Sequence, residues 1–308
     1  MSNDLGYLRG GLSQSGSVAL LAASEALEEQ DIQHSFLAIC KDGKWVQNWK
    51  MDFDIVSICL GTGKYSTLGV FMGMHGDVLI GDSSGFHMER LSEGADAPNP
   101  LRPIHEVGAI GEHLFAVGLR RQVFRRHMGG GAWEKIDRGA FVGDKSKQIA
   151  GFLSVDGFDE NEVYAVGHGG EIWLFNGKKW KQIESPTNLN LSCVRCTPWG
   201  SVFACGAAGV ILRGRGNTWV QLEQDITDET VESLAALGGS AYFCTEDGAV
   251  FVLHNQTFEQ IQIDKKRTVT TGFLASNGTT LLSVGTSDIY TYDSKSWKRL
   301  PNPEFEVK

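Results

Sequence analysis

Val166-Gly167-His168-Gly169-Gly170-Glu171-Ile172, followed after a polar turn by Trp180-Lys181-Gln182-Ile183, is the stretch that decides the fold. Short runs of β-branched and aromatic residues flank it, Val163-Tyr164-Ala165 before and Ile172-Trp173-Leu174-Phe175 after. Two such runs joined by a glycine turn read as a β-hairpin, because glycine enters the tight turn without a steric penalty.

Working outward, the aromatic marker recurs at 39-residue spacing as Trp219-Val220-Gln221-Leu222, Phe258-Glu259-Gln260-Ile261 and Trp297-Lys298-Arg299-Leu300. Towards the N-terminus it returns as Trp133-Glu134-Lys135-Ile136, as the weaker Met88-Glu89-Arg90-Leu91 and as Trp45-Val46-Gln47-Asn48. The glycine marker recurs with it: Met72-Gly73-Met74-His75-Gly76-Asp77-Val78, Cys205-Gly206-Ala207-Ala208-Gly209-Val210-Ile211, Cys244-Thr245-Glu246-Asp247-Gly248-Ala249-Val250, and the shorter Val284-Gly285-Thr286-Ser287-Asp288-Ile289. A further strand precedes each glycine marker, as in Leu191-Ser192-Cys193-Val194. Seven units, each of four short strands in about 42 residues, have the length and content of propeller blades. The expected fold is all-β: one seven-bladed β-propeller of four-stranded antiparallel blades over residues 1–308, with blade 1 at about 5–50 and blades 2–7 at about 51–303. Each marker aromatic should pack between neighbouring blades.

Blade 1 is the irregular copy, with Ala23-Ser24-Glu25-Ala26-Leu27-Glu28-Glu29-Gln30, good helix formers, where its siblings have a short turn. The C-terminal Glu304-Phe305-Glu306-Val307 alternates and could add a strand beside it.

The string G-x-x-G-x-[IV] followed by W-x-x-[IL], as in Gly167 to Trp180, resembles the BNR-like and photosystem-assembly-factor-like propeller repeats over roughly residues 50–300. Of the Asp-box turn common in those families, Asn176-Gly177-Lys178-Lys179-Trp180 and Gly214-Arg215-Gly216-Asn217-Thr218-Trp219 keep only fragments. The chain has no Trp-Asp dipeptide, and no tri-arginine clamp of the sialidase type falls on matching positions. The resemblance implies the fold and leaves function to the site residues.

Composition narrows the function classes. The 308 residues are 42% hydrophobic with 38 glycines and 7 prolines, which suits a large core with many tight turns. A net charge of −9 argues against general nucleic-acid or anionic-membrane binding. No signal peptide or membrane-length apolar run is evident, and six scattered cysteines suit a reducing cytoplasm. Cys193-x-x-Cys196 has zinc-ligand spacing, but Cys205 and Cys244 stand where siblings have valine, as small buried hydrophobes. Residues three apart on a strand also face opposite sides. Neither metal nor cofactor is expected. Gly81-Asp82-Ser83-Ser84-Gly85 reads as a turn between third and fourth strands, and His105-Glu106 lacks the second histidine of a zincin helix.

The turns between second and third strands and the blade-to-blade connections share one face of the disc, and departures from the repeat there are the candidate site. Arg121, beside Arg120, replaces the turn glycine of Gly76, Gly170, Gly209 and Gly248. Connections 92–103 and 137–147 are long. Blades 5 and 6 add Asp225, Asp228, Glu229, Glu246 and Asp247, and the turns of blades 2 and 4 add His75 and His168. The reading is a non-catalytic propeller that binds a basic protein partner across this face, in its specific form a bacterial immunity or assembly factor. The alternative is a hydrolase or lyase acting on a sugar-like substrate in the central funnel, using His75 or His168 with a nearby carboxylate or Arg121.

Overall fold

In the computed structural model, residues 5–82, 84–91, 102–143 and 149–305 are described. They form seven four-stranded antiparallel sheets, each with its strands in simple chain order. The sheets cover residues 5–51, 55–90, 104–135, 152–183, 191–221, 231–261 and 271–299. First strands of successive blades pack on one another around a central channel. Glu25–Glu28 of blade 1 is a single helical turn, capped where Ser24 accepts the Leu27 N–H.

Seven hydrophobic clusters hold the ring, most of them bridging neighbouring blades. The marker aromatics occupy one position: Trp180 opposite Phe175, Trp219 opposite Gly214, Phe258 opposite Leu253 and Trp297 opposite Tyr292. Each packs against the preceding blade, as Trp180 does against Phe115 and Val123, with its indole N–H donated to Ile136 O at 3.0 Å. Trp133 packs likewise against blade 2 and donates to Glu89.

Blade 2 needs a correction. Met88, read as its marker, is half-exposed, and Phe86 opposite Gly81 holds the equivalent place. Phe86 stays 48% exposed, against 2% for Trp180, and meets Trp49 edge-to-face at 4.9 Å. The third-strand position that carries Phe175 in blade 4 is glycine here, and a Cβ on Gly81 would run into the Phe86 ring.

The ring closes through side-chain packing and a backbone bond from Tyr7 N–H to Thr286 O at 3.0 Å. Blade 1 and blade 7 share a cluster that includes Leu20, Phe36, Leu282 and Val284. Residues 301–305 run along the outer strand of blade 1, where the Trp45 indole donates to Pro301 O at 2.6 Å and Asn48 donates to Glu304 O at 2.9 Å. Phe305 packs edge-to-face on Phe36. The C-terminal strand expected there is not formed through residue 305, and Glu306 and Val307 lie outside the described residues. So do residues 92–101 and 144–147 of the two long connections, and Ser83.

Candidate functional site

The first strands have no ladder partner on their channel side, so their N–H groups need other acceptors. Side chains of the preceding blade supply them. Ser57 accepts from Val107 N at 3.1 Å, Glu106 from Val155 N at 2.7 Å, Ser154 from Val194 N at 3.0 Å and Ser233 from Leu274 N at 3.2 Å. These acceptors share one repeat position, and a β-bulge immediately before it turns them between the blades.

The bulge occurs in all seven first strands, and the residues skipped by the register are Leu8, Val56, His105, Leu153, Ser192, Glu232 and Gly272. Bulges re-aim side chains. Here they direct one residue per blade to the rim of a cavity of about 430 Å³ at the channel mouth. The mouth lies on the face that carries the second-to-third-strand turns, because the first strands run away from that face. A cavity of about 320 Å³ opens at the other end, and both are lined by Arg9, Glu106, Arg195 and Phe273, which divide the channel.

That partition is polar and internally paired. Arg195 donates to Glu106 at 2.7 Å, to Ser154 Oγ at 3.1 Å and to Val194 O at 2.7 Å. Burial pushes the Glu106 carboxyl up, but the Arg195 charge and the hydrogen bonds it receives outweigh this and hold it below the ordinary range. Burial pushes Asp156 up to about 6, with Arg195 and the N–H groups of Cys196 and Gly157 opposing only in part. Arg9 lies over the Phe273 ring, 5.4 Å from its centre.

At the rim, Glu232 is raised by burial and then by the charge of Glu246, with Arg9 opposing. His105 is lowered by burial and by His168 and Arg9, which keeps its imidazole neutral at pH 7. Its Nε2 is buried and has no hydrogen-bond partner among the described residues.

The expected site residues divide. Asp228, Glu229, Glu246 and Asp247 are exposed and come together: Glu229 is raised by its hydrogen bond with Glu246, then by the charges of Glu246, Asp247 and Asp228. Asp225 is exposed in the same connection but is not among the charges Glu229 feels. His75 is exposed and His168 half-buried. Neither ring has a hydrogen bond or ion pair among the described residues, and His168 lies close enough to His105 to act on it electrostatically.

Arg121 is not the surface cation expected. Its side chain is 8% exposed, ion-paired with Glu171, and its guanidinium lies 4.9 Å from the Trp173 ring centre. Arg120 and Arg121 keep the left-handed backbone of the sibling glycines, at φ 61° and 57°. In blade 4 a Cβ on Gly170 would strike Thr187 O at 2.1 Å. In blade 3 the longer connection, with Val142 N bonded to Arg120 O, makes room for a side chain that turns inward.

The bulge residues do not stand out in the sequence as a set, although all but Leu8, the fourth residue of its strand, are the second residue of their first strand. His105 was weighed there only as a failed zincin histidine. Cys193 faces Cys205 in register while Cys196 packs in a different cluster, as their spacing implied. Among the described residues no three His, Cys, Asp or Glu side chains are grouped to hold a metal ion.

No protein-family profile matches the chain. Solved propellers share its fold. They include the RRP9 WD40 repeats (TM-score 0.66, 9% identity, 92% of this chain and 89% of that one) and YCF48 bound to D1 peptide (TM-score 0.65, 15% identity, 99% and 94%). YCF48 from Cyanidioschyzon merolae gives a TM-score of 0.59 at 16% identity over 80% of this chain and 85% of that one. Among curated proteins, the immune protein Tsi7 of Pseudomonas aeruginosa is 34% identical over 283 residues, covering 91% of this chain and 92% of its own length. At that identity over nearly the whole of both chains, the protein belongs to the family of the immune protein Tsi7.

Proposed function

We propose that this protein is a non-catalytic immunity propeller that binds and neutralises a toxic protein through the channel-mouth face, its acidic arc meeting a basic surface. The observation that carries the reading is the cluster of Asp228, Glu229, Glu246 and Asp247. Four exposed carboxylates come together, close enough that Glu246, Asp247 and Asp228 raise the proton affinity of Glu229, and none is in a salt bridge among the described residues. Such a cluster is unfavourable in the free protein and is relieved by a cation from outside, which favours fast, salt-sensitive association with a basic partner. The kinship with an immune protein supports neutralisation as the purpose of binding. The net charge of −9 disfavours nucleic acid and anionic membrane as partners. The six free cysteines suit a reducing cytoplasm, two of them cross-strand neighbours.

The test is capture of the partner from the native cell, followed by its expression alone and together with this protein. A stoichiometric partner that arrests growth alone and is relieved on co-expression is expected. A partner harmless in both settings overturns the immunity reading.

A further inference from the structure

We infer that the groove between blades 1 and 2 is a binding pocket for a small, uncharged aromatic molecule, whose flat ring takes the place between blades that a marker aromatic fills elsewhere. The pocket is lined by turns that join first to second and third to fourth strands. It therefore opens on the face away from the channel mouth, and its occupant is a free molecule distinct from the protein partner proposed for that mouth.

Two glycines build the pocket. Beside each marker aromatic the second and third strands pair two side chains, Val163 with Phe175 in blade 4, Ala241 with Leu253 in blade 6 and Leu281 with Tyr292 in blade 7. At the same place blade 2 pairs Gly69 with Gly81. Its own rings fall back onto the space these glycines leave. A Cβ on Gly81 would stand 2.5 Å from the Phe86 ring, and one on Gly69 would stand 3.2 Å from the Phe71 ring. With both rings drawn against their own blade, a cavity of about 570 Å³ lies between blades 1 and 2. Blade 5 shows that one glycine is not enough. Trp219 lies over Gly214 in the same way, yet Val202 stands beside it and the larger indole is 8% exposed, against 48% for Phe86.

The lining assigns the ligand chemistry. Ala19 and Phe71 are buried, Ile39 and Leu60 half-buried, and together they give the cavity an apolar floor. Lys41, Gln47, Asp82 and Ser84 are exposed and form a polar rim with both signs of charge, which suits an uncharged ring bearing an N–H or hydroxyl. Small-molecule sites have this size and this division into apolar floor and few polar groups. In blade 4 the Trp180 ring lies 5.2 Å from Phe175 and 5.6 Å from Phe152. A ligand ring between blades 1 and 2 gains the same kind of contact from Phe71 and Phe86, and aromatic pairs add to the gain from burial alone.

The probe is indole, titrated into the whole protein while the Gly69, Gly81 and Gly214 amide resonances are followed by NMR. Saturable shifts at Gly69 and Gly81, with Gly214 unmoved, are expected at a dissociation constant on the order of 1 mM, the range for so small a ligand. Gly69→Val places the valine of blade 4 in the pocket and should weaken binding about tenfold or more. Its new Cβ first meets the edge of the Phe71 ring, and an undiminished melting temperature checks the fold. Should that variant fold poorly, Phe86→Ala removes an exposed wall ring and should weaken binding several-fold. Phenol should bind about threefold or more tighter than cyclohexanol. No saturation by about 10 mM, equal shifts at Gly214, undiminished binding in folded Gly69→Val or in Phe86→Ala, or cyclohexanol binding as well as phenol each overturns the pocket. Displacement of indole by the captured partner would place a partner side chain there and overturn the free ligand, while the immunity reading stands.

Discussion

The turns between second and third strands of blades 3 and 6 both carry charge, Arg121 in place of the repeat glycine in blade 3 and Glu246 and Asp247 ahead of the retained Gly248 in blade 6, with opposite consequences. In blade 3 the intruding charge, Arg121, folds inward onto Glu171 and Trp173 and is almost wholly buried. In blade 6 Glu246 and Asp247 stay exposed and gather with Asp228 and Glu229 of the preceding connection. A charge at an unfavoured turn position therefore does not by itself mark a binding site. What decides is whether the next connection leaves a space lined by an opposite charge. Blade 3 has that space beneath residues 137–143, and blade 6 presents its carboxylates to solvent.

The comparison breaks most readily at Arg121. Replacing it with alanine leaves Glu171 buried without its cation, and stability should fall by about 3–5 kcal/mol in urea unfolding. A loss below about 1 kcal/mol would return Arg121 to the surface class. The fourfold rim variant Asp228→Asn, Glu229→Gln, Glu246→Gln, Asp247→Asn should do the reverse. It should leave stability within about 1 kcal/mol while slowing association with the captured partner about tenfold at low salt and flattening its salt dependence. Unchanged association at low salt would show the arc to be only a solvated rim.

The channel partition sharpens the contrast through pH. Asp156 has its folded pKa raised to about 6, so the folded state binds its proton more tightly than the unfolded chain does. Its contribution to stability is complete below the unfolded value of about 4 and is lost as pH rises through about 6. Unfolding measured between pH 4 and 6 should show a downward component of up to about 1.4 kcal/mol per pH unit that Asp156→Asn lacks. An identical profile in the variant would remove Asp156 as its source. The smallest effect belongs to His75: exposed in the blade 2 turn, it should give a change within about 0.5 kcal/mol as His75→Ala in the same unfolding measurement.

The mouth was legible in the sequence only in hindsight. Leu8, Val56, His105, Leu153, Ser192, Glu232 and Gly272 share no chemistry, so no motif joins them, and their common feature is the register break each produces. The Met88 reading failed for a related reason. A spacing argument followed the Arg-Leu ending of the marker, whereas strand pairing puts Phe86 opposite Gly81.

From its sequence alone, the chain determined its blade number, the four strands of each blade, the irregular first copy and the common place of the aromatic wedges. Each of these rests on local periodicity, with strands alternating every two residues, glycine where the turn is tight, and one aromatic per repeat. Tertiary structure alone decided that Arg121 is an interior ion pair, that residues 301–305 help to close the ring and that seven dissimilar residues line one mouth. These outcomes depend on contacts between segments far apart in the chain. Whether a charged side chain there meets an opposite charge, a cavity or water is set by the neighbouring blade.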